Sequence, residues 1–168
     1  FPTRRSSDLD GKDISRLSTW EIGRLVGSVF QDPKSQFFSS ELAGEVAFPS
    51  ENYGLSTREI RERTDAAIEA LKLSRLRDRA VDVLSSGEKQ RAAIASVYAM
   101  KPKVFVCDEP TANLDAAGTR QLAQTLWQLK EQGFTLLLAE HRIDWLMRIA
   151  DRFLYLRDGR IRSEEHTS

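Results

Sequence analysis

Apolar residues fall into runs and stripes that alternate between two periods. Val104-Phe105-Val106-Cys107 is an uninterrupted apolar run closed by Asp108, Glu109 and Pro110. Such a run predicts a strand of a parallel sheet buried on both faces. Phe134 to Ala139 has the same character, and Leu25 to Phe30 reads as a strand with a central glycine, broken by Gln31-Asp32-Pro33. Between these runs the period becomes helical. Ser56-Thr57-Arg58-Glu59 is a capping-box pattern that opens a helix with Ile60, Ala67, Ile68 and Leu71 on one face. Arg58, Arg61, Glu62, Arg63 and Asp65 form its solvated side. Lys89 to Met100 has Ala92, Ile94, Ala95 and Ala99 as its apolar positions, and Pro102 stops it. Gly118 to Gln132 carries Leu122, Leu126 and Leu129 on one face, with Gly133 as its C-cap.

The remaining segments are shorter. Asp10 to Gly23 is polar, with Trp20 and Ile22, and Leu25 beyond them, as packing residues. Arg142 to Ala150 is expected to be a short helix. Arg152 to Leu156 and Arg160-Ile161, joined through Asp158-Gly159, read as a terminal hairpin. Strands alternating with helices predict a mainly parallel sheet with right-handed crossovers, an α/β fold.

Composition narrows this little. The 168 residues suit one domain, and 40% hydrophobic with 30% charged residues is ordinary for a globular chain. A formal net charge of +0 gives no reason to expect a nucleic-acid partner, and acids lie near Arg75, Arg77 and Arg79. Cys107 is the only cysteine, so no internal disulfide forms. No apolar run approaches the roughly 20 residues that span a bilayer. The two ends stand apart. Phe1–Leu9 and Arg162–Ser168 are translations of nucleotide strings resembling short-read sequencing adapters. Residues 1–9 and 162–168 are therefore expected to be assembly scars outside the fold, around an internal fragment of a longer gene product. His166 then carries no function.

Two stretches carry candidate chemistry. Leu84-Ser85-Ser86-Gly87-Glu88 is a small polar turn opening a helix, where unpaired N–H groups and the positive dipole end suit a phosphate. Asp108 and Glu109 end a strand of a parallel sheet, where side chains face the ligand crevice. One acid there can hold Mg²⁺ and its neighbour can polarise a water. Taken alone, the pair reads first as an acidic turn after a core strand, and Gln31 first as a turn residue before Asp-Pro.

The order of these pieces resembles the ABC-type ATPases. That family's signature LSGGQ is matched by Leu84-Ser85-Ser86-Gly87-Glu88, its Walker B by Val104 to Glu109, and its SALD D-loop by Ala112-Asn113-Leu114-Asp115. The resemblance implies a partial P-loop NTPase (RecA-like) sheet with a helical ABC subdomain over residues 34–86, in a domain spanning 10–161. It implies ATP and Mg²⁺ as ligands. Asp108 and Gln31 would hold the metal. Glu109, His141 and Gln31 would be catalytic, Gln31 from the Q-loop and His141 as the switch histidine. Ser85, Ser86, Gly87, Glu88 and Asp115 would contact nucleotide across a dimer with a second ABC ATPase. Phe37, Phe38, Phe48 and Tyr53 are candidates for the groove that takes a coupling helix from a transmembrane subunit, or they pack within the subdomain. The domain would then be cytoplasmic, peripheral on the inner membrane face.

Two features depart from the pattern. No G-x-x-x-x-G-K-[ST] occurs in the sequence, so the fragment is expected to be inactive alone. Ser86 stands for a glycine and Glu88 for a glutamine of the signature. Val29 to Pro33 through Ala47-Phe48, with Glu140 to Leu146, resembles the ATPase of energy-coupling-factor importers of vitamins or metal ions. A soluble ABC ATPase of DNA repair or translation is the alternative, as is a non-catalytic half that lends only its signature.

Overall fold

The computed structural model describes residues 8, 9 and 11–166, without the side chains of Lys12 and of residues 163–166. A two-residue pair, β1 (Asp8–Leu9) and β2 (Lys12–Asp13), precedes helix α1 (Thr19–Leu25). Ser18 and Glu21 cap α1 reciprocally, a signal that the sequence reading passed over. Leu25 therefore closes a helix, and strand β3 is only Val26–Val29.

The segment after β3 is helical. Helix α2 (Leu42–Asn52) tolerates Pro49, and α3 (Thr57–Ala70) starts at the expected Ser56–Glu59 capping box. Helix α4 (Ser86–Ala99) leads into β4 (Val104–Asp108), α5 (Ala116–Glu131) into β5 (Thr135–Ala139). Helix α4 starts at Ser86 rather than Lys89, because Ser85 caps it and Glu88 reaches back to Ser85.

Strands β3, β4 and β5 form a parallel sheet in that order. Val29 pairs with Cys107, and Cys107 with Leu138, so the carboxyl ends of all three strands lie level. One face is the core. Val29, Phe105 and Cys107 pack there with Ala92, Ile94 and Ala95 of α4 and Leu122, Leu126 and Leu129 of α5. Burial pushes the Cys107 thiol up to about 12, which makes it inert.

The strands expected to be buried on both faces are covered on one. Val104 and Val106 are half-buried and Leu137 is 57% exposed, because α4 and α5 pack on the same side of the sheet. A Leu-Leu-Leu run cannot reveal which face a layer covers.

Two further expectations change at the carboxyl end. Arg142 to Ala150 holds a single 3₁₀ turn, Leu146–Arg148, rather than a helix: Leu146 and Met147 amides share Ile143 O and Ile149 and Ala150 amides share Leu146 O, so three- and four-residue bonds mix and no regular ladder runs on. The hairpin of β6 (Arg152–Arg157) and β7 (Arg160–His166) runs past Ile161 into the segment expected to lie outside the fold. Backbone pairing propagates a hairpin without apolar side chains. Asp158 and Gly159 both take positive φ, 52° and 69°, as a type I′ turn requires. Residues 1–7 and 167–168 of the two end segments fall outside the described residues. Among the described residues no helix is long and apolar enough to cross a membrane.

Candidate functional site

The level ends of β3, β4 and β5 bring three loops together. Glu109 follows β4 with its N–H bonded to Ala139 O at 2.9 Å, so the pairing with β5 continues past the last β4 residue. Its backbone then turns into the left-handed region, φ 42°, which a glutamate rarely adopts. Such a conformation costs on the order of 1–3 kcal/mol and persists only where the surroundings fix it. Here Ala112 N–H bonds back to Glu109 O at 3.0 Å and Leu114 N–H to Thr111 O at 3.1 Å.

The half-buried Glu109 carboxylate has a partner on each oxygen. Gln31 Nε2 donates to Oε2 at 3.2 Å, and His141 Nε2 lies 2.8 Å from Oε1. Gln31 is placed by the loop after β3, where Gln36 accepts from Phe30 N–H at 2.9 Å and donates to Ser28 O at 3.2 Å. Asn113 Nδ2 reaches Gln31 O at 3.4 Å, which ties that loop to the one after β4. His141 is exposed, so its ring is held at the carboxylate by the loop beneath it rather than by packing.

That loop rests on Glu140. Its Oε1 accepts from Thr111 N–H at 3.1 Å and from the Thr111 hydroxyl. Its Oε2 accepts from His141 N–H at 3.1 Å and Arg142 N–H at 3.4 Å. Thr111 is fully buried. In the sequence Glu140 enters only as the first residue of the Glu140 to Leu146 stretch, and nothing local signals a bond to a residue in another loop.

Oxygen donors for a cation are present at the same edge. Among the described residues no three His, Cys, Asp or Glu side chains cluster as metal ligands. Asp108 is exposed at the end of β4. Gln31 turns its nitrogen to Glu109, which leaves its amide oxygen for another partner. One carboxylate with a carboxamide oxygen fits Mg²⁺, which keeps waters and takes phosphate oxygens rather than an all-protein cage.

The turn Leu84 to Glu88 opens α4. Ser85 caps α4: Glu88 Oε2 accepts from Ser85 N–H at 2.8 Å and from its hydroxyl at 2.7 Å. Those bonds, chiefly the hydroxyl's, hold the Glu88 carboxyl below its ordinary value. Asp115 caps α5 by accepting from Gly118 N–H at 2.7 Å. A Cβ on Gly87 would meet Gly118 Cα at 4.0 Å, so the two helix N-termini adjoin. Arg91 Nη1 donating to Gln121 at 2.8 Å fastens them together. Ser86 is exposed. Gln31, Glu109 and His141 thus touch one another at the sheet end, and the Ser85–Glu88 turn adjoins the N-terminus that Asp115 caps.

The sequence model of the ABC transporter family matches residues 2–112, a span that contains Gln31, Ser85–Glu88, Asp108 and Glu109. The chain belongs to the ABC transporter family. A Treponema denticola protein described as a putative ABC transporter ATP-binding protein is 39% identical over 153 residues, covering 91% of this chain and 31% of that protein. A relative of the same description from Pyrococcus horikoshii is 38% identical over 161 residues, covering 96% of this chain and 62% of its own. This cassette therefore spans about a third to two-thirds of the relatives it matches.

Among solved structures, cbiO1 of Clostridium perfringens, part of the ABC transporter complex cbiONQ, superposes with a TM-score of 0.87. It is 36% identical, over 95% of this chain and 65% of its own. A dimeric ATP-binding cassette in a post-hydrolysis state with ADP and Pi gives a TM-score of 0.79 at 27% identity, over 95% and 72%. The fold of the cassette is that of the ABC ATPases.

Proposed function

We propose that the cassette is the hydrolytic part of an ATP-powered ABC importer of the energy-coupling-factor type. The observation that carries the chemistry is the Glu109 carboxylate between Gln31 Nε2 and His141 Nε2. A carboxylate fixed on both oxygens at a strand end can take a proton from an attacking water. Glu109 is the general base. Gln31 positions that water, and His141 meets the terminal phosphate. Asp108 and the Gln31 amide oxygen would hold Mg²⁺, which would supply charge neutralisation on the phosphates. Ser85, Ser86, Gly87, Glu88 and Asp115 form the complementary edge, offered to ATP held by a second ABC ATPase. The dimeric form of the ADP-bound cassette supports that division.

The partner in the membrane docks on the helical segment. A groove of about 240 Å³ lies between the β3–α2 loop, α2 and α4, lined by Phe37, Phe38, Phe48 and Tyr53 among others. Phe38 stacks on Phe48 at 4.7 Å while remaining 73% exposed, an aromatic pair suited to a partner's helix. The part of cbiO1 in a complex with further subunits supports the importer assignment. The cassette would then lie on the inner face of the membrane. The sequence has no G-x-x-x-x-G-K-[ST], so turnover needs a longer protein that supplies that phosphate loop. The test is Mg²⁺-dependent ATP hydrolysis by the longer protein and by the 168-residue chain. Turnover by the first alone, with a membrane subunit co-purifying, is the expected result. Turnover by the short chain would overturn the fragment reading, and full activity with no membrane subunit would favour a soluble ABC ATPase.

A further inference from the structure

The carboxylate of Glu140 joins the loop after β4 to the loop after β5, beside the backbone bond from Glu109 N–H to Ala139 O and the Glu109–His141 contact. Its Oε1 holds Thr111, two residues past Glu109, and its Oε2 holds the amides of His141 and Arg142. Thr111 is completely buried, so its donors have no water to turn to. A carboxylate is the acceptor this geometry demands, since it alone offers both oxygens to donors on opposite sides.

The consequence falls on His141. Its ring is exposed, and the contact with Glu109 Oε1 at 2.8 Å depends on where its backbone sits. That backbone is bonded to Glu140, and Glu140 to the loop that carries Glu109. The geometry points to Glu140 as a positioning residue whose carboxylate fixes the His141 loop against the Glu109 loop and so sets the His141–Glu109 contact. This rests on the hydrolytic reading of Glu109 and His141 for its catalytic consequence, but not for its geometry. The same bond gives a direct link from the turn before Asp115 to the histidine, so displacement of one loop moves the other.

Two variants separate positioning from folding. Glu140→Ala removes both acceptors. Glu140→Gln keeps the volume but has one oxygen, so its amide nitrogen must face one set of donors and release that loop. The 168-residue chain has two histidines, and His166→Gln assigns the ring signals of His141 in nitrogen-15 spectra. Both Glu140 variants are expected to move the His141 ring signals in the direction that Glu109→Gln moves them, with the far-ultraviolet circular dichroism retained. In the longer protein, loss of alignment by an ångström is worth up to about 10²-fold in rate. We expect kcat to fall about 10- to 100-fold with KM for ATP within about threefold. Adding Glu140→Ala to His141→Ala should cost clearly less turnover than Glu140→Ala costs alone, since its effect passes in good part through the histidine.

Unmoved ring signals in well-folded Glu140→Gln would overturn the inference, as would a full further loss in the double variant. If the longer protein hydrolyses no ATP, the hydrolytic reading fails while the ring signals still decide the positioning role.

Discussion

Gly27 offers the sharpest test of how the sheet is seated on its helices. It pairs with Phe105 in the β3–β4 ladder, on the face covered by α4. A Cβ there would lie 2.1 Å from Val97 Cγ1 and 3.3 Å from Pro102 Cγ. Carbon atoms pack at about 3.5–4.0 Å, so the overlap with Val97 exceeds an ångström. Val97 is β-branched and in a helix, where one rotamer dominates, so the side chain cannot swing aside. Relief requires the strand or the helix to shift. Overpacking of this kind costs about 1–3 kcal/mol. Alanine recovers roughly 0.5–1 kcal/mol of backbone entropy relative to glycine. Gly27→Ala should therefore lose about 1–2 kcal/mol, or about 2–8 °C in melting temperature for a chain of this size. Val97→Ala supplies the control. Alone it removes half-buried methyls and should cost about 1 kcal/mol. In the Gly27→Ala background it removes the clashing atom and should raise stability. Thermal and urea melts of the four proteins close the cycle. Gly27→Ala melting at or above the parent, or Val97→Ala costing the same in both backgrounds, would refute the packing argument.

Other outcomes follow from the caps and the groove. Serine hydrogen bonds hold Glu21, Glu59 and Glu88 below the ordinary glutamate value of 4.5. Their capping contribution is thus complete above that value and lost as pH falls through the lower folded values. Melts between pH 7 and pH 3 should show a shallower fall when all three are glutamine; an unchanged slope would contradict the capping account. Phe38→Ala should change stability by less than about 0.5 kcal/mol, since the ring is largely exposed. It should nevertheless weaken capture of the membrane subunit by roughly 30-fold or more in a binding titration. Unaltered capture would remove the groove from the docking surface.

What could be read in the sequence was whatever is local and periodic. Val104 to Asp108, the Ser56–Glu59 cap and the Asp158-Gly159 turn carry their structure in adjacent residues. The same kind of signal announced Ser18–Glu21 and Ser85–Glu88, which explains why α1 exists and why α4 begins early. The outward face of β5 was not legible, because an apolar run does not say which side a helix layer takes. The site divides in the same way. Gln31, Glu109 and His141 are each followed or preceded by a recognisable strand, and their order places them at one sheet edge. The Glu140 clamp reaches Thr111 across loops distant in sequence, and no short window of residues contains that bond.

The central claim is that Glu109 takes the proton from the attacking water, and Glu109→Gln in the longer protein tests it most directly. The amide keeps the shape and can still meet Gln31 and His141, while the charge that makes it a base is gone. Single-turnover hydrolysis should slow about 10²–10⁴-fold, with ATP binding intact and the nucleotide-bound dimer accumulating closed. Hydrolysis by Glu109→Gln at the parental rate would contradict the account.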